Sequence, residues 1–247
     1  MRHKFIFLCL LFSCVLFFNT LSFAQITVID TALYTQSIRN GIFFSSSRLQ
    51  ENAYLYTGTE YYRYGHGMQG HPFFKSDEMQ TGSVYYDGTL YQNVPMLYDL
   101  VNDQLIMHDF TGNFYMRLLN EKVGYFTLQD HLFTRIEQDS TKGTFISTNF
   151  YDKLYEGTIT VFAKRFKKIE TSARVDEPTP KIVEYDQYFI EKNGVYYFVD
   201  NQRAMLSIFA DKKSEIKKFI HGNKINFKKD RENAIIKTSA YYGKLKG

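Results

Sequence analysis

Asp87 and Gly88 stand between two runs rich in aromatic and β-branched side chains, in the stretch 82–108, GSVYYDGTLYQNVPMLYDLVNDQLIMH. An Asp-Gly pair in that setting marks a hairpin, because a two-residue type I′ turn needs positive φ at both central positions. The short loop also sets the register: Tyr86 faces Thr89, Tyr85 faces Leu90 and Val84 faces Tyr91. Aromatic residues opposite aliphatic or β-branched ones contribute about 0.2–1 kcal/mol per pair. Pro95 has no N–H and belongs at an edge, a bulge or the first position of a strand. A second hairpin is expected from 96–101 with 104–108, turning at Asn102 and Asp103. Tyr98 and Leu100 then share a face with Leu105 and Met107, and Asp99 and Gln104 fall on the other. This is an antiparallel sheet with one well-buried face.

The same grammar recurs along the chain. Segments 114–119, 123–128 and 132–137 read as strands, 150–155 and 158–164 pair around Glu156-Gly157, and 185–191 and 195–200 pair across Asn193-Gly194. The polar stretch 139–143 is a loop, and 171–180, with Pro178 and Pro180, is a flexible connection. Segment 26–47 has only weak alternation and a turn at Asn40-Gly41, and 49–56 fits a short helix or a strand. Tyr-x-Gly triplets start at Tyr56, Tyr86 and Tyr155, too irregularly spaced for a repeat array. Aromatic residues make up 17% of the chain, all Tyr and Phe, which favours strands. The expected fold is α+β and mainly β: an antiparallel meander or barrel-like sheet.

The period changes after Asp200. Ile216, Phe219 and Ile220 lie at i, i+3, i+4, with Asp211 as the expected N-cap and Gly222 at the C′ position. Asp230 is placed to cap a second helix carrying Ile235, Ile236, Ser239, Tyr241 and Tyr242. Helices of about three turns are marginal alone, so this C-terminal pair must dock on the sheet. The expected organisation is a signal peptide over 1–24, an antiparallel β domain over 25–200, and basic helices packed on it over 201–247.

The signal peptide is read from Arg2 and Lys4, an apolar run over 5–18, and Ser22-Phe23-Ala24 ahead of Gln25. The run is too short for a comfortable membrane span, and no second long apolar run follows. Lipidation at Cys14 is the alternative, but Phe12 fits it poorly and the apolar run continues past Cys14. Cys9 and Cys14, the two cysteines of the chain, both lie in this leader, so the mature chain expects no disulfide, thiolate nucleophile or Cys-ligated metal. Residues 201–247 hold 12 Lys and Arg against 4 Asp and Glu, a net +8. The formal total is +4 and the leader carries +2, which leaves −6 for 25–200. In the cytoplasm a basic tail would suggest nucleic acid. In an exported chain a simply solvated helix face is the first expectation, and an anionic envelope surface or an acidic protein face is the alternative partner.

The order Leu55-Tyr56-x-Gly58-x-Glu60-Tyr61, His71-Pro72-Phe73-Phe74, Gly82-Ser83-Val84-Tyr85-Tyr86-Asp87-Gly88 and Tyr98-Asp99 resembles a family of exported bacterial proteins with no assigned activity. Ala163-Lys164-Arg165-x-Lys167 and the segment from Asp211-Lys212-Lys213 to Tyr241-Tyr242 look like the same family. Gly243 departs from it, standing where that family tends to an acidic residue. The resemblance covers most of the mature chain and implies a single unit, with no activity to carry over.

Catalytic signatures are weak. His66 and His71, in HGMQGH, supply two imidazoles with no third ligand at a metal-site spacing. Ser214-x-x-Lys217, Ser147-Thr148-Asn149 and Lys237-Thr238-Ser239 mimic penicillin-interacting motifs in the wrong order and without the terminal glycine. Of Asp87, Asp99 and Asp103, two belong to turns, and Asp99 is a lone strand carboxylate expected on a solvated face. No catalytic residue, metal or cofactor is assigned. The leading expectation is a non-enzymatic envelope protein of the periplasm or outer-membrane surface, acting as a binding or assembly module. Its candidate docking face is Lys212, Lys213, Lys217 and Lys218. A carrier of a lipid or other hydrophobic ligand in a curved sheet comes next, and a hydrolase third.

Overall fold

The structure, a computed structural model, describes residues 53–65, 67–138, 146–171 and 179–247. The expectations for the signal peptide, for 26–47, for the loop 139–143, for His66 and for most of 171–180 lie outside the described residues. The protein is α+β and mainly β. Among the described residues, eleven strands form one sheet in the order β1-β5-β4-β3-β2-β6-β7-β8-β9-β10-β11. They are β1 Thr59–Glu60, β2 Gln80–Tyr86, β3 Thr89–Asp99, β4 Gln104–His108, β5 Tyr115–Arg117, β6 Val123–Leu128, β7 His131–Ile136, β8 Asn149–Glu156, β9 Thr160–Glu170, β10 Lys181–Lys192 and β11 Val195–Phe198. Each pairing within the sheet is antiparallel.

The β2–β3 hairpin has the register that its turn dictates, with Tyr86, Tyr85 and Val84 opposite Thr89, Leu90 and Tyr91. Asp87 and Gly88 have φ of 50° and 83°, and Asn193 and Gly194 repeat the geometry with 56° and 76°. Pro95 pairs with Thr81 on β2, next to a register shift, and β4 begins pairing only at Met96. The missing N–H therefore costs no ladder bond on that side.

The next hairpin corrects its expected turn. Asp99 pairs with Gln104, so the loop is four residues, 100–103, and not Asn102-Asp103 alone. The Asp99 carboxylate accepts from the Val101 and Asn102 backbone N–H groups at 2.8 and 3.1 Å, which ends the strand early. The register moves by an even number, so Tyr98 and Leu105 still face the core beside Met96 and Met107. Asp99 itself is not solvated. It is fully buried and accepts from the Tyr61 and Tyr64 hydroxyls at 3.0 and 3.2 Å.

Curvature turns the sheet on itself. Lys167 N–H of β9 donates to Leu100 O at 3.0 Å, and Phe150 N–H of β8 donates to Asp103 Oδ2 at 3.2 Å. The segment before β2 crosses the remaining gap: Gln69 N–H donates to Pro180 O and Gln69 O accepts from Ile182 N–H of β10, while Phe74 N–H donates to Tyr98 O and Leu100 N–H to Pro72 O. The enclosed space is filled. Tyr98, Phe126, Phe133 and Phe150 meet there with ring centroids 4.9–6.1 Å apart, surrounded by Val84, Tyr86, Met96 and Leu128.

Three helices, not a pair, follow the sheet: α1 Gln202–Ile208, α2 Lys213–Gly222 and α3 Arg231–Lys246. The strand expected to run to Asp200 stops at Phe198, and Asn201 then caps α1 by accepting from Ala204 N–H at 3.0 Å. Asp230 caps α3 as expected. Asp211 does not cap α2. Its carboxylate is taken by the Tyr242 hydroxyl, Lys192 and Lys246, which pins α3 and β10 together. The left-handed residue after α2 is Lys224, φ 52°, and not Gly222: Ile225 N–H reaches Ile220 O and Lys224 N–H reaches His221 O, a Schellman closure. The helices dock through Met205, Phe209, Ile216, Ile220, Ile235 and Tyr242 against Val161, Ala163 and Ile190 of the sheet. Among the described residues no helix is long and apolar enough to cross a membrane.

Candidate functional site

Two groups of cations among the described residues contrast in their surroundings. The first lies on β9, where Lys164, Arg165 and Lys167 are all buried. Alternation sends Arg165 to the helix-facing side with Val161 and Ala163, and Lys164 to the opposite side with Phe162. Each is fully engaged. Arg165 donates to Asp152 Oδ2 from Nε and Nη2 at 3.1 and 2.9 Å, and its Nη1 lies 3.0 Å from Asp186 and 2.6 Å from Glu232 of α3. Burial works to lower its pKa, but the Glu232 hydrogen bond and the charges of Asp186 and Asp152 outweigh it and raise it. Asp152 also meets His131 Nδ1 at 2.7 Å, and His131 Nε2 meets Lys75 Nζ at 2.6 Å.

Lys164 reaches Asp103, which also accepts from the Tyr98 hydroxyl at 2.5 Å. Lys167 donates to the Phe73 and His71 carbonyls at 2.7 and 3.1 Å. Both lysines have pKa values lowered by burial, against the attraction of Asp103 and Glu184 respectively. These groups fasten the β3–β4 loop, the 71–73 segment and α3 to β8–β10. They are structural.

The second population surrounds a cleft of about 950 Å³ between α1, α2 and the start of α3. Lys217 and His221 reach it from one face of α2, together with Ile220 at i+3. Lys224 enters from the Schellman turn, Lys228 from the α2–α3 loop, Arg203 from α1 and Arg231 from the first position of α3. Ile220, Ile225 and Phe227 line its apolar part, and Asp200 is the one carboxylate in the lining. Asp200 is engaged by the Asn201 side-chain amide at 2.6 Å. None of the five cations, Arg203, Lys217, Lys224, Lys228 and Arg231, has a carboxylate partner among the described residues, and all are exposed.

The four lysines of the expected docking face do not act together. Lys217 lines the cleft. Lys213 lines a neighbouring recess with Leu206 and Ala210, which shares Gln202 and Arg203 with the cleft. Lys212 is half-buried and 3.9 Å from Glu215, and Lys218 is exposed outside both recesses. Sequence reasoning missed Arg203, His221, Lys224, Lys228 and Arg231. The available signal was Asn201, an N-cap residue that brings α1, and so Arg203, beside α2.

His71 has an unpartnered buried Nδ1 and a pKa lowered by burial and by Lys167. Among the described residues no group of three metal-ligating side chains converges. Ser214 is exposed on α2. Fold and cleft together define an antiparallel-sheet protein with a docked, cationic helical unit. No protein family, curated protein or solved structure matches the chain.

Proposed function

We propose that this is an exported, non-enzymatic protein of the bacterial cell envelope, at the periplasm or outer-membrane surface, that binds an anionic partner through its helical unit. The observation that carries the reading is the contrast between cations. The three buried on β9, Lys164, Arg165 and Lys167, are each held by carboxylates or carbonyls, whereas the five exposed around the cleft have no carboxylate partner among the described residues. Clustered like charges repel one another and are relieved by an oppositely charged ligand. The filled interior of the curved sheet favours this reading over a carrier of hydrophobic ligands.

Two measurements test it. Intact mass of the secreted protein should begin at Gln25, and a form retaining Met1 or carrying acyl chains on Cys14 overturns the export assignment. Retention of the purified protein on isolated envelope fractions should fall steeply with added salt, because exposed charges more than a Debye length apart, about 10 Å at 0.1 M, are screened. Absent or salt-independent retention overturns the binding assignment.

A further inference from the structure

We propose that the cleft between α1, α2 and the start of α3 receives a small ligand bearing two or more phosphate groups. This rests on the reading of the helical unit as a binding face and names the chemistry of what enters it. Five cations against one engaged carboxylate call for a multiply charged anion, since a single carboxylate would leave most of the charge unneutralised. Two of the five are arginines supplied by different helices, Arg203 and Arg231. The guanidinium fork matches the oxygens of phosphate bidentately, and lysines add point charge around it.

Concavity narrows the class further. The cleft, open to solvent on one side, measures about 950 Å³, at the upper end of the roughly 300–1,000 Å³ typical of small-molecule sites. Ile225, half-buried, gives the floor an apolar edge above the buried Ile220 and Phe227, where the carbon skeleton of a sugar or similar body can rest. A flat bilayer meets the rim of such a site and not its apolar lining.

The test is isothermal titration of the mature full-length chain with inorganic tripolyphosphate, with citrate as a small polycarboxylate and phosphatidic-acid vesicles as a lipid surface. Saturable single-site binding of tripolyphosphate is expected, tighter than citrate, and weakened about tenfold or more in Arg203→Gln/Arg231→Gln, as loss of two bidentate partners requires. Lys218→Gln/Lys229→Gln, outside the cleft, should bind as wild type. Equal binding of citrate, binding that survives the arginine pair, or binding to vesicles alone each overturns the proposal. If the arginine pair abolishes envelope retention while tripolyphosphate does not bind, the phosphate assignment falls and the docking face stands. If retention is also absent, both fall.

Discussion

Arg165→Met removes the cation that joins β8, β9, β10 and α3 while keeping much of its aliphatic bulk. Asp152, 1% exposed, loses two hydrogen bonds and keeps His131 at 2.7 Å, and Asp186 and Glu232, each about one-third exposed, lose their shared partner. Breaking a buried ion pair from one side costs about 3–5 kcal/mol, because the remaining charge stays uncompensated. His131 and the partial exposure of Asp186 and Glu232 place this case near 3 kcal/mol. Urea denaturation should give a single transition with a lower midpoint and an unchanged slope. Adding Asp152→Asn should recover part of the loss, since it deletes the orphaned charge. A loss under about 1 kcal/mol, the range of exposed pairs, would refute the reasoning. So would a split transition in which the helices melt first.

Gly82→Ala should destabilise more than Gly88→Ala by equilibrium denaturation. A Cβ at Gly82 would lie 2.0 Å from Thr127 O, whereas at Gly88 it meets nothing and only the positive φ is strained, at about 1–2 kcal/mol. Above pH 10 the protein should lose stability progressively. Tyr98, Tyr61 and Tyr188 have raised pKa values, chiefly through burial, so the unfolded chain releases their protons first and ionisation favours unfolding. The last rise of tyrosinate absorbance in an alkaline titration, that of the buried tyrosines, should therefore coincide with loss of sheet signal, and its completion with the sheet intact would contradict this. Lys224→Gly should stabilise the protein by about 0.5–1 kcal/mol in thermal melts while weakening anion binding, because it relieves the left-handed strain and removes a cleft cation.

How much of this was legible in the sequence depended on distance along the chain. The β2–β3 register was readable because a two-residue turn counts outward from Asp87-Gly88 without ambiguity. The next hairpin was misread because Asp99, a carboxylate at a strand end, captured two backbone N–H groups. Its burial was invisible, since Tyr61 and Tyr64 approach from 38 and 35 positions earlier. Asp211 fits an N-cap locally, but Lys192 and Tyr242 compete for it from other elements. The same logic governs the cations. The run 163–167 and the lysines of 212–218 look alike as letters, and only tertiary pairing separates a fastening Arg165 from an unpaired Arg203.

That separation is tested most directly by the stability of a variant in which the cleft is neutralised: Arg203→Gln/Lys217→Gln/Arg231→Gln, measured by urea denaturation beside Arg165→Met. Removing three mutually repelling, unpaired cations should leave the free energy of unfolding unchanged or raise it by a few tenths of a kcal/mol, as surface changes away from packed features do. A loss comparable to that of Arg165→Met would mean that these side chains hold the helices in place, and the account of a fold fastened by one set of cations and open to a ligand through the other would be wrong.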